Sequence, residues 1–126
     1  MAQANLVMGW IWILAGFLFG LYLGMNFHRE EWMGGYQSLK RRMYRLSHIS
    51  FFGLAIINLL FAFTVRIESL NGPLLPVASL AFLVGALTMP ICCIVMAYTP
   101  RFRMLFGIPV TALVLAAGIT IWEVSK

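Results

Sequence analysis

Charge is what this sequence has least of. Four acidic and nine basic residues make up 10% of 126, where a soluble domain is about a quarter charged. Cysteine is nearly absent as well. The only two, Cys92 and Cys93, are adjacent, which rules out a disulfide framework and leaves two buried thiols near a reducing compartment. No nucleophile stands with a base, and there is no phosphate loop and no carboxylate pair. The expectation is a protein that is not an enzyme. No internal repeat or low-complexity segment interrupts the chain.

What is abundant is apolar length. Hydrophobic residues make up 62% of the chain, and they fall into four blocks: Asn5 to Phe27, Tyr44 to Val65, Leu74 to Tyr98 and Met104 to Trp122. A membrane span needs roughly 20 mostly apolar residues to cross ~30 Å of hydrocarbon. Each block meets that length, and together they leave no room among these residues for a soluble domain. The first block lacks the basic start and small-residue cleavage site of a secretory signal, so it reads as a retained helix. The fold class expected is an all-α membrane protein, four transmembrane helices in an up-down bundle with short loops.

The few charges set the orientation. Arg29, Lys40, Arg41, Arg42 and Arg45 lie between the first two blocks, and Arg101 and Arg103 between the last two. Only Arg66 and Lys126 lie on the opposite side. Basic residues in short loops stay in the cytoplasm, so both termini are expected outside, in a membrane of the bacterial inner (plasma) type. The imbalance argues against dual topology. It favours contact with anionic lipid headgroups and gives no reason to expect nucleic acid. No ionisable residue sits in the middle of a block, whereas ion-coupled transporters need one there. Small four-helix multidrug exporters depend on a glutamate in the first helix. This chain has none, which argues against a proton-driven antiporter and leaves a passive pore open.

Between Glu30 and Met43 the residues Trp32, Tyr36, Leu39 and Met43 recur at helical spacing beside Lys40, Arg41 and Arg42. That pattern predicts an amphipathic interfacial segment, weakened by Gly34 and Gly35. Asn71, Gly72 and Pro73 mark a turn, Pro76 suits the first turn of the third helix, and Thr99 and Pro100 close it.

Helix contact faces in lipid are marked by small residues. Gly16, Gly20 and Gly24 recur every four residues in helix one, and His28 continues the interval. Helix two aligns Ser47, His48, Phe51, Ala55, Asn58 and Ala62 on one face; helix three aligns Ala78, Ala81, Gly85, Thr88 and Cys92; helix four offers Gly107, Thr111 and Gly118. Such faces serve a compact bundle or an oligomer equally. Asn58, alone in an apolar helix, calls for an interhelical hydrogen bond. Trp10, Trp12, Trp122 and Tyr22 are expected in the aromatic belt or facing lipid. Pro90 and Pro109 predict kinks that free the carbonyls of Ala86 and Leu105, with Thr88 or Thr111 as the expected local partners.

Two patterns bear on chemistry. Met89, Cys92, Cys93 and Met96 stand at i, i+3, i+4 and i+7 beside Pro90. Thiolates and thioethers are soft ligands for Cu(I) and similar cations; otherwise they simply fill space between helices. Cys92 shares the small-residue face and is expected to be buried, Cys93 to be less constrained. The adjacent cysteines in a membrane helix resemble those of bacterial mercury-uptake proteins, in two residues only and in a different helix. His28 and His48 both fall at the cytoplasmic boundary, where a facing pair binds a metal or ligates a haem, and single histidines bond carbonyls or lipid phosphates. The leading expectation is a non-enzymatic accessory or self-associating membrane subunit, packed along the glycine run. A soft-metal or haem-linked protein is the alternative, and a small oligomeric pore the third.

Overall fold

A computed structural model describes residues 1–126, and it is helical throughout, without strands. The helices are α1 (Ala2–Asn26), α2 (Leu39–Ile67), α3 (Leu75–Tyr98) and α4 (Gly107–Val124), with 3-10 turns at Trp32–Gly34 and Pro100–Phe106. By length and composition, four helical stretches suffice to cross a membrane, the last counted from Pro100.

Local chemistry fixes the ends. The Ser38 hydroxyl accepts from the Arg41 backbone N–H at 3.1 Å, an N-cap that starts α2 at Leu39, ahead of the expected Tyr44. At the other end of α2, Ser69 turns to φ +50° and the Leu70 N–H reaches back to the Val65 carbonyl at 3.0 Å. That closure satisfies a terminal carbonyl that the helix leaves free. Pro76 sits in the first turn of α3, where its missing N–H costs nothing.

The amphipathic segment expected between α1 and α2 does not form. Met33, Gly34 and Gly35 take φ values of +55°, +82° and +100°, so a right-handed helix cannot run from Trp32 into α2. A compact loop stands in its place.

Contacts between helices follow a regular register. Along α1, Gly9 faces Leu59, Gly16 faces Phe52 and Gly20 faces His48, so positions fall along α2 as they rise along α1. Phe61 of α2 meets Phe82 of α3, and Tyr44 meets Tyr98. Gly85 of α3 receives Leu113 of α4. The helix α3 is central: it packs on α1, α2 and α4, while α4 packs on α3 and has only marginal contact with α1 or α2.

Being central gives α3 two buried faces. Ser79, Phe82, Ala86 and Pro90 look toward α1 and α2; Gly85 and Cys92 look toward α4 and the turn before it. On α4 the buried residues are Pro109, Ala116 and Glu123, seven apart. The small residues expected to pack there face outward instead: Gly107 and Gly118 have nothing within 4 Å, and exposed Thr111 bonds its own helix. Leu113 in its seat on Gly85 sets the rotation of α4, and that seat is invisible in the α4 sequence.

Candidate functional site

Polar side chains among these apolar helices are few. Ser50, Thr88, Thr111 and Thr120 bond carbonyls of their own helix, while the buried Asn5, Asn58, Ser79 and Ser47 bond other helices. The largest node joins three of them. Asn5 Nδ2 donates to Asn58 Oδ1 at 2.8 Å and to the Ser79 carbonyl at 3.2 Å. Ser79 Oγ donates to Asn5 Oδ1, and Asn58 Nδ2 returns to the Leu54 carbonyl of its own helix at 2.9 Å. All three side chains are buried. An amide in an apolar interior is costly unless paired. Here the node also fixes the register of α1 against α2 and α3.

Pro90, inside α3, frees the Ala86 carbonyl as expected. The helix α4 begins only at Gly107, so Pro109 falls in its first turn and breaks no helical bond there. Neither threonine bonds Ala86 or Leu105. Thr88 bonds Val84, and Thr111 bonds Gly107 and Ile108. The Ala86 carbonyl instead accepts from the Trp12 indole Nε1 at 2.9 Å. Trp12 is therefore half-buried against α3, whereas Trp10 and Trp122 are exposed. The Leu105 carbonyl accepts from Cys92 Sγ at 3.5 Å, and the Pro90 carbonyl from Ser47 Oγ at 3.3 Å. These three bonds join α3 to α1, to α2 and to the turn before α4.

The soft-ligand residues share one helix but differ in burial. Cys92 points to the turn before α4, while Cys93, about 100° further round α3, is 0% exposed against 6% for Cys92. Cys93 is therefore the more constrained thiol, contrary to expectation, because the central helix buries both sides. Met89 and Met96 are half-buried, and no three His, Cys, Asp or Glu side chains converge anywhere.

The histidines are also apart. His48 lies against Gly20, between Phe19 and Phe52 at ring separations of 6.4 and 5.3 Å. His28 is exposed beyond the end of α1. The helix α1 runs six residues past Gly20 to Asn26, about 9 Å at ~1.5 Å per residue, and His28 lies beyond that end, away from the ring-lined seat of His48.

Of the glycine run, Gly16 and Gly20 hold side chains of α2. A Cβ on Gly16 would lie 2.8 Å from the Phe52 ring, and one on Gly20 would lie 2.6 Å from His48 Nε2. Gly24 has nothing within 4 Å. The third tight glycine is Gly9, off the four-residue interval, against Leu59 and the Ala55 carbonyl.

Two charged side chains are buried, Glu123, which pairs with Lys126 at 3.0 Å, and Arg41, and neither was foreseen. Arg41 is 1% exposed. Its guanidinium donates to the carbonyl of Phe27 at 2.8 Å and lies 3.4 Å from those of Arg29 and Glu30. The rings of Phe27, Trp32 and Tyr36 surround it at 5.1, 5.5 and 5.0 Å. No carboxylate pairs with it, and its Nε lacks a partner. A cation at the carbonyl end of α1 is favoured by the helix dipole and by the ring faces. The sequence signal was the three rings spaced along the same loop.

Beside α4 an open groove of about 580 Å³ remains, lined by Leu60, Phe61 and Thr64 of α2, Phe82 of α3, and Ala117 and Thr120 of α4. It follows directly from the one-sided attachment of α4. The chain matches no known protein family, no curated protein and no solved structure.

Proposed function

We propose that this chain is a membrane-embedded, non-catalytic subunit, an up-down bundle of four spans with Met1 and Lys126 on the outer side, that packs against another membrane chain or a second copy of itself. The alternating register of neighbouring helices supports the up-down reading. The inward turn of the polar groups supports insertion. Asn5, Asn58, Ser79, Trp12 and Cys92 bond across helices, while large side chains such as Phe17, Leu21, Leu80 and Ile121 are exposed. That distribution suits hydrocarbon as solvent.

The observation that carries the packing role is the α2/α4 groove. A helix attached on one side leaves apolar surface and small residues, Ala117 among them, free to receive a neighbour. The glycine run of α1 serves this purpose poorly, because Gly16 and Gly20 are already filled from within. Filling the groove tests the proposal. In mild detergent, Ala117→Phe is expected to lower the native mass of the assembly while leaving the thermal midpoint of the isolated chain unchanged. An assembly mass identical to wild type, or a wild-type chain that is monomeric in native lipid extracts, overturns it.

A further inference from the structure

The whole net charge lies at one end of the molecule. That end is made by the α1–α2 loop, the first turns of α2 and the Pro100–Phe106 segment, joined where Lys40 Nζ lies 4.3 Å from the Tyr98 ring. It holds seven of the nine basic residues and the carboxylates Glu30 and Glu31. The opposite end has Arg66 and Lys126 against Glu68 and Glu123 and is neutral. Seven against two is the entire net charge of +5.

Most of these cations are unpaired. Arg41 is enclosed, and Arg29 lies 3.8 Å from Glu31. Lys40, Arg42, Arg45, Arg101 and Arg103 have no carboxylate within 4.0 Å, and all are at least partly exposed. Three of them ride on aromatic rings that are themselves exposed. Lys40 sits on Tyr98, the guanidinium of Arg45 lies 4.7 Å from Tyr36, and that of Arg101 lies 5.1 Å from Phe102. The Tyr98 hydroxyl is held 2.7 Å from that of Tyr44, so the ring under Lys40 is anchored. Arg101 follows three residues later, within ~11 Å of extended chain.

A ring with a cation on it presents an apolar body below and a positive charge above. That is the order of hydrocarbon and phosphate at a leaflet surface. We infer that this end binds the phosphate groups of anionic phospholipids, with Lys40 and Arg101 flanking Tyr98 at its centre. An acidic protein segment would match the charges but would not account for exposed rings interleaved with them. The inference rests on the membrane-spanning reading above.

The test uses the full chain in phosphatidylcholine vesicles, extracted with alkali, and then in mixed micelles of phosphatidylglycerol and phosphatidylcholine, with retained lipids counted by native mass spectrometry. The chain is expected to resist extraction and to retain phosphatidylglycerol in preference. Lys40→Gln and Arg101→Gln should each lower that preference about fivefold, following ~1 kcal/mol per cation near an anionic surface. The pair Arg66→Gln and Lys126→Gln at the neutral end should change it by less than about twofold. Equal retention of both lipids by an unextractable wild type overturns the inference alone, and a surface made for an acidic protein gives that result. Equal losses in the neutral-end variant also overturn it. Release by alkali overturns both the inference and the membrane reading.

Discussion

Gly16 and Gly24 belong to one run at four-residue intervals, yet their surroundings are opposite. Phe52 fills the space over Gly16, and nothing approaches Gly24. Gly16→Leu should therefore destabilise the chain by about 1–3 kcal/mol through overpacking. Gly24→Leu should be neutral or stabilising by up to about 1 kcal/mol, since glycine is a poor helix former. Thermal unfolding in micelles separates the two; equal effects would show that α1 is rotated differently against α2. The same scale explains the cysteines. Spacing correctly marked Cys92 for a buried face, but a face-counting argument assumes one interface per helix. In α3 the thiols serve two interfaces, and Cys93 is the more enclosed.

The α1–α2 loop shows how an element can fail to follow its periodicity. Trp32, Tyr36 and Leu39 keep helical spacing, but Met33, Gly34 and Gly35 have left-handed φ. The rings of Trp32 and Tyr36 then each turn a face to Arg41, and Tyr36 stays otherwise exposed. Arg41 ties the loop to the end of α1 through three carbonyls, those of Phe27, Arg29 and Glu30. Arg41→Ala should leave the helices intact and speed amide exchange across residues 30–37 at least about tenfold, the loss of ~1.4 kcal/mol of local protection. Arg41→Lys should rescue little, because an ammonium cannot span the same acceptors. Unchanged exchange in Arg41→Ala would mean that Gly34 and Gly35 alone shape the loop.

At the scale of the whole molecule, orientation is the first quantity to measure. Ser69 and Ser125 are exposed at one end, and Gln37 is exposed at the other. Ser38 is a poor reporter, since its hydroxyl caps α2. With Cys92 and Cys93 buried, single cysteines at 69 and 125 should label with a membrane-impermeant thiol reagent added outside intact cells. A cysteine at 37 should label only after permeabilisation. Labelling at 37 from outside would reverse the orientation, because seven basic residues would then face outward.

The sequence by itself determined the number of helices, their approximate limits and the asymmetry of charge. These follow from local quantities: length of apolar run, turn residues such as Asn71, Gly72 and Pro73, and the count of Arg and Lys in each connection. Only the tertiary structure decided which side chains meet. The partner of Asn5 lies 53 residues away and that of the Ala86 carbonyl 74 residues away. In an apolar chain nearly every face is hydrophobic, so periodicity cannot say how a helix is rotated about its axis. The polar groups settle it, since each must find a partner once water is excluded.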